Sequence, residues 1–226
     1  DIIFYNGLHL EGKMGEVLSK MAEQKPVIAI CDGLKKKQLR ATSEFEGNYD
    51  PHIWFSVKVW TNVVRFIGKS LAEIDLIHAS FYQVNTTKHV EELISLHAST
   101  IEKINTISEN QRVLITAHDA FGYFGREYGM EVKGLQGLST AAEYGLKDVI
   151  TMVDFITDHK IKAVFVESSV SDRSIKAVME GCKDKGHTVV IGGTLYSDAM
   201  GAEDKPEGTY IGMVKYNVAT IVNALR

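Results

Sequence analysis

The sequence contains little cysteine, little proline and no excess of positive charge. Its two cysteines, Cys31 and Cys182, are too few for a disulfide framework or a four-cysteine zinc site. It has 25 basic and 29 acidic residues and a net charge of -4, which argues against nucleic acid or an anionic lipid surface as its partner. No apolar run approaches the roughly 20 residues of a transmembrane helix. Neither G-x-G-x-x-G nor G-x-x-x-x-G-K-[ST] occurs, so a nucleotide site of either kind is not expected.

The sequence does contain enough apolar residues for a buried core. At 226 residues, 45% of them apolar, the chain allows one large domain or two smaller lobes, given roughly 100 to 200 residues per domain. It opens with Asp1 directly before the strand-like run "IIFY", and no segment at the start has the pattern of a signal peptide. We therefore expect that processing or truncation has removed a preceding part.

Short β-rich runs alternate with longer helical periods along the chain. Apolar stripes at helical spacing predict helices over residues 57–75 and 209–226. Asp172 and Gly186 bracket a further helix with the expected cap residues. The apolar runs that we interpret as buried strands are residues 2–5, 27–30, 112–116, 131–135, 162–166 and 188–192. This alternation predicts an α/β fold with parallel sheets.

Residues 78–108 interrupt the alternation. The segment has no glycine or proline and carries apolar residues at helical spacing, which predicts one helix about 45 Å long. The helix divides the chain into an N-terminal lobe at 1–77, a linking helix at 78–108 and a C-terminal lobe at 109–226. A second unusual segment is the long connection at 31–55, since structureless loops of that length are uncommon and often functional.

Three polar residues lie where a parallel sheet binds its ligands. His52 follows Pro51 and precedes Ser56, which is placed to cap the next helix. His118 comes just past a strand, with Asp119 placed to cap the following helix, and Asp198 lies in a glycine-flanked loop after the last strand. Such positions border the crevice beyond the carboxyl ends of strands.

Imidazole nitrogens and a carboxylate form a ligand set for zinc, manganese or ferrous iron. A divalent cation is therefore the natural ligand for these residues. The alternative is that the histidines are surface or capping residues and that Asp198 is a turn residue, because no H-x-x-x-H or C-x-x-C spacing occurs.

The remaining chemically active residues have simpler interpretations. Glu167, directly after a strand, is either a helix-entry residue or a carboxylate that orients a metal ligand. Cys182 continues an apolar stripe and is predicted to be a buried thiol. The other histidines are predicted to be surface or packing residues: His9, His78, His89, His97, His159 and His187.

Four motifs in order resemble one known family. "DPHIWF", "TAHDAFGYFGREYGMEVKGLQGLST", "VFVESSV" and "YSDAMG…EGTYIGMVKYN" are similar to the cluster A-I metal-binding proteins, the solute receptors of bacterial zinc and manganese ABC importers, and most of all to the TroA type. The resemblance runs from Asp1 to Arg226. It implies two Rossmann-like βα lobes joined by one rigid helix, with a metal held between them. By motif it assigns His52, His118 and Asp198 as metal ligands.

The sequence departs from the family at its start. Family members have a further strand and helix section with an earlier DPH-like segment that supplies a first histidine ligand. We therefore expect an incomplete N-terminal lobe, a missing fourth ligand, and no export signal in this chain. Water or a second chain would then complete the coordination.

The resemblance implies an extracytoplasmic receptor, periplasmic or a cell-surface lipoprotein, that captures Zn²⁺ or Mn²⁺, with Fe²⁺ as a further candidate. It would deliver the metal to an ABC permease and would meet the membrane only through that permease or a lipid anchor. Zinc-specific members often carry a histidine-rich loop, and residues 31–49 contain no histidine, which favours the branch that takes manganese or zinc. Two alternatives remain open: a metal-dependent hydrolase that uses the same residues with Glu167 as base, and a metal-independent surface module.

Overall fold

A computed structural model describes residues 2–42, 47–138 and 145–226. The chain divides into two compact units, residues 1–97 and 98–226. Within the described residues, none of the helices combines the length and apolar character that a membrane-spanning helix needs.

The strands are those that the sequence predicts, and they pair in parallel. In the described residues they form three two-stranded pairs, β1 with β2, β3 with β4 and β5 with β6. A helix connects the two strands of each pair, so each pair is a βαβ unit. The strands are β1 Ile3–Tyr5, β2 Val27–Ala29, β3 Val113–His118, β4 Glu131–Gln136, β5 Ala163–Glu167 and β6 Val190–Leu195.

The helices also follow the predicted pattern. The segment predicted at 78–108 is one continuous helix that ends at Ile104, and the division between the two compact units falls within it. The helices are α1 Met14–Met21, α2 Val57–Ile74, α3 Ala79–Ile104, α4 Gly122–Tyr128, α5 Leu146–Asp158, α6 Arg173–Asp184 and α7 Tyr210–Leu225. The lobe boundaries at 77 and 108 stay predictions.

Two boundary predictions need correction. His118 is the last residue of β3 rather than the residue after it, because β3 stays paired with β4 as far as His118 and Gln136. Asp119 does not cap the next helix, since α4 begins at Gly122 and its N-cap residue is Phe121. The amide of Asp119 donates instead to the Gln136 carbonyl at 3.0 Å, which continues the strand pairing.

In the first unit, the described part of the connection after β2 has local structure. It contains short 3-10 turns at Ile30–Gly33, Lys36–Gln38 and Ile53–Phe55, and an antiparallel bridge joins Ala41 to Tyr49. Residues 43–46 of this connection lie outside the described residues. Helix α2 packs on the first and last of these turns. The last turn, which follows His52, lies directly before the N-terminal end of α2.

In the second unit, β3 and β5 lie side by side over an apolar core formed with α5 and α6. Cys182 is fully buried in this core, as predicted. The core residues are Val113, Ile115, Ala117, Leu135, Met152, Val153, Ile156, Ile161, Val164, Ile175, Val178, Cys182 and Val189. This packing fixes the positions of the carboxyl ends of β3 and β5, where His118 and Glu167 lie.

Candidate metal centre

Local structure in the first unit fixes the backbone around His52. The side-chain amide of Asn6, just after β1, donates to the Pro51 carbonyl at 3.1 Å and so ties the segment to the end of that strand. His52 then begins the Ile53–Phe55 turn, and Ser56 caps α2 by accepting the Val59 amide at 3.2 Å, as predicted. Pro51 and this cap together restrict the direction in which the buried His52 ring leaves the backbone.

The carboxylate of Asp50 holds the His52 ring. Asp50 Oδ1 accepts the His52 amide at 2.9 Å and lies 2.8 Å from His52 Nδ1. Asp50 is itself fully buried, and its other oxygen pairs with Arg40 Nη1 at 2.8 Å. When Nδ1 donates to a carboxylate, Nε2 presents the lone pair that a metal requires. Neither Asp50 nor Arg40 was predicted from the sequence as a site residue, although the D-x-H spacing is compatible with a short-range contact between Asp50 and His52.

A second carboxylate, that of Glu167, lies against His118 in the second unit. Glu167 Oε1 accepts the His118 amide at 2.9 Å, and Glu167 Oε2 lies 2.6 Å from His118 Nδ1. Both side chains are fully buried, so the contact lies in a medium of low polarity. Of the two predicted roles for Glu167, the structure favours the carboxylate that orients a histidine, and Glu167 is the last residue of β5.

Asp198 approaches the other nitrogen of His118. The distance between His118 Nε2 and Asp198 Oδ2 is 3.5 Å, and the Asp198 side chain is one-third exposed. Burial lowers the pKa of His118, but the contacts with Asp198 and Glu167 raise it more, so that it reaches about 9. The raised pKa favours the protonated imidazole in the metal-free protein, in which Nε2 faces the Asp198 carboxylate.

The structure brings His118 and Asp198 together within the second unit, and it places His52 in the first. Asp198 lies beyond the end of β6, which runs to Leu195 and so extends three residues past the predicted strand end at residue 192. A buried imidazole facing a carboxylate oxygen matches the ligand preference of zinc, manganese and ferrous iron. The donor set of the second unit therefore fits a divalent transition metal.

Most of the other histidines make local contacts at the surface. The Nδ1 atoms of His78 and His89 lie 2.8 Å and 3.2 Å from carboxylates on Asp75 and Glu92. His159 is exposed and stacks on Phe155, with ring centroids 4.1 Å apart. His97 is half-buried, so His159 is the better control in a metal-binding experiment.

Comparison with known proteins places these residues in a family. A family model described as "ZnuA: Zinc-uptake complex component A periplasmic" matches residues 1–224. The manganese-binding lipoprotein MntA of Bacillus subtilis is 50% identical over 226 residues, which cover 100% of this chain and 74% of MntA. The zinc-binding protein TroA of Treponema pallidum is 43% identical over 225 residues, covering 100% of this chain and 72% of TroA.

The fold of a solved relative agrees with these matches. The structure of the periplasmic zinc-binding protein TroA from Treponema pallidum superimposes with a TM-score of 0.96 at 43% identity, covering 100% of this chain and 80% of that chain. The predicted α/β fold class and the predicted resemblance are both confirmed. The chain therefore belongs to the ZnuA family of zinc-uptake complex components.

Proposed function

We propose that this chain binds Zn²⁺ or Mn²⁺ through His52, His118 and Asp198, as the solute-binding component of an ABC importer. The observation that carries the proposal is the setting of His118, whose Nδ1 lies 2.6 Å from Glu167 and whose Nε2 lies 3.5 Å from Asp198. In the proposal His52, oriented by Asp50 at 2.8 Å, supplies the second imidazole. The names of MntA, manganese-binding, and TroA, zinc-binding, support this set of metals.

Capture proceeds by ligand exchange in this proposal. The hydrated cation exchanges bound water for the two imidazole nitrogens and the carboxylate oxygen. His118 releases its proton to the solvent, because a metal ligand must present a lone pair. At equilibrium a site of nitrogen and oxygen ligands prefers zinc to manganese, with ferrous iron between them. Which metal the protein carries then depends on which is available to it.

The proposed partner and location are supported by the family. We propose that the metal passes to the permease of an ABC importer on the outer side of the cytoplasmic membrane. The family model is described as periplasmic and MntA as a lipoprotein, so both a free and a lipid-anchored receptor fit the proposal.

The alternative function, a metal-dependent hydrolase, would use Glu167 as a general base. Glu167 engages His118 through both of its carboxylate oxygens, which favours an orienting role over proton abstraction from a water molecule. The relatives MntA and TroA are named as metal-binding proteins. Stoichiometric metal uptake without hydrolysis of model esters or phosphates is the expected result.

The proposal is tested by metal-linked stabilisation. Saturating Zn²⁺ or Mn²⁺ should raise the Tm by an amount that grows with metal concentration over Kd. The variants His52→Ala, His118→Ala and Asp198→Ala should each lose most of that rise, whereas the exposed His159→Ala should keep it. If His159→Ala loses the metal effect while the three ligand variants keep it, the site assignment is wrong.

A further inference from the structure

The segment that carries Asp198 is held from the β5 side. The amide of Ser168, just after β5, donates to the Leu195 carbonyl at 2.9 Å. The hydroxyls of Ser169 and Ser197 lie 2.6 Å apart, and Ser197 is buried. These contacts connect the residues before Asp198 to the segment that follows Glu167.

On its other side, the same segment is held by Asn217 of α7. The Asn217 side chain accepts the Tyr196 amide at 3.0 Å and donates from Nδ2 to the Tyr196 carbonyl at 2.8 Å. Asn217 is only 3% exposed, so its side-chain amide forms these hydrogen bonds with the backbone of Tyr196 rather than with water. A side-chain amide thus pairs with Tyr196 as a neighbouring strand would, two residues before Asp198 in the sequence.

Two glycines of β6 allow α7 to lie close enough for this pairing. A Cβ atom added at Gly193 would lie 2.4 Å from Thr220 Cγ2, and one at Gly192 would lie 2.7 Å from Ala224 Cβ. Both distances are too short for a side chain, so these two positions let the helix pack against the strand backbone. Asn217 lies one turn before Thr220 on the same helix, which brings its amide to the level of Tyr196.

We propose that Asn217 is a positioning residue that fixes the Asp198 carboxylate and thereby sets the preference of the site between manganese and zinc. The inference rests on the metal-binding function proposed above. Carboxylate oxygen is the ligand that suits Mn²⁺, whereas Zn²⁺ is also well served by imidazole. A displaced Asp198 therefore weakens manganese binding more than zinc binding, because the two remaining imidazoles bind zinc more strongly than manganese.

The test measures Kd for Mn²⁺ and for Zn²⁺ by competition with a chelator, and the Tm of the metal-free protein. Asn217→Ala should raise the Kd for Mn²⁺ about 10-fold, the lower end of the effect of losing a residue that orients a metal ligand, because Asn217 acts through the backbone of Tyr196. The Kd for Zn²⁺ should rise by a smaller factor, so the ratio of the two constants changes. A purely structural role would lower the Tm and leave this ratio as it is.

Three further variants accompany the measurement. Asn217→Gln keeps the amide but shifts it by one methylene, so it should change the ratio in the same direction and decides the question if Asn217→Ala does not fold. Ser169→Ala, at an exposed position, removes a second side-chain contact of this segment and should give a smaller change in the same direction. The control is Asn223→Ala, which replaces an exposed asparagine on the same helix and should leave both constants unchanged.

The outcomes separate this inference from the proposed function. A wild-type protein that binds neither metal contradicts the function itself. A wild-type protein that binds both, with an unchanged manganese-to-zinc ratio in the folded Asn217 variants, overturns only the positioning role of Asn217.

Discussion

At the residue scale, a buried carboxylate lies against a buried histidine in each of the two units. Asp50 and Glu167 each hold a histidine by two contacts, one to its backbone amide and one to its Nδ1. Each ring is therefore oriented before a metal arrives, and less side-chain entropy is lost on binding. The two carboxylates come from different contexts, since Asp50 is local to His52 whereas Glu167 lies on another strand from His118.

The raised pKa of His118 predicts how pH acts on the metal-free protein. The folded value is about 9 against an ordinary value of 6.5, so between these pH values the folded chain holds a proton that the unfolded chain has lost. This contribution to stability is complete below the ordinary value and is lost as pH rises through the folded value. The free energy of unfolding of the metal-free protein should therefore fall across this window.

Metal binding should have the opposite dependence on pH, because the cation replaces that proton. Titration calorimetry with Mn²⁺ near neutral pH, in two buffers of different ionisation enthalpy, should show release of about one proton from His118 per metal bound. In Glu167→Gln the loss of the carboxylate lowers the pKa of His118, so fewer protons should be released. Identical heats in the two buffers for the wild type would contradict the prediction.

At the element scale, the packing of α2 on α3 depends on a glycine. A Cβ atom at Gly68 would lie 1.9 Å from Thr86 Oγ1, so no side chain fits there without a shift of the helices. Alanine is favoured over glycine in a helix by about 1 kcal/mol, but overpacking typically costs about 1–3 kcal/mol. Gly68→Ala should therefore destabilise the first unit, against the helix propensity.

Urea unfolding followed by tryptophan fluorescence measures this effect, since both tryptophans, Trp54 and Trp60, lie in the first unit. Gly15→Ala in α1 is the matched control, because a Cβ atom there meets nothing within 4 Å and should leave stability equal or slightly higher. Thr86→Ala should partly restore the stability of Gly68→Ala. A more stable Gly68→Ala protein would show that the helices move apart at low cost.

The sequence pattern predicted the elements better than their ends. Alternating apolar runs identified the strands and helices because periodicity reports which face is buried. The observed ends of β3 and β6 differ from the predicted ends because the length of a strand is set by its partner strand, which lies elsewhere in the sequence. The motifs predict His118 and Asp198 as ligands, whereas the contact of Asn217 with Tyr196 is visible only once α7 is placed, because the two residues are 21 positions apart.

At the scale of the whole molecule, α3 predicts how the protein responds to metal. The helix is continuous from Ala79 to Ile104, across the division between the compact units, and it contains neither glycine nor proline. Bending such a helix would break backbone hydrogen bonds, so no large hinge closure is expected. Small-angle scattering profiles of the metal-free and metal-loaded protein should nearly coincide. A marked decrease in the radius of gyration on loading would contradict this prediction.

The support of Asp198 by Asn217 also has a consequence for the order in which the chain is made. Asp198 precedes α7 in the sequence, so a chain that emerges from the ribosome or crosses a membrane from its N-terminus presents the carboxylate before the helix that holds it. His118 and Glu167 emerge earlier still. With Asn217 in its proposed role, full affinity for the cation should develop only after α7 has docked, and a nascent chain should retain metal less firmly than the finished protein.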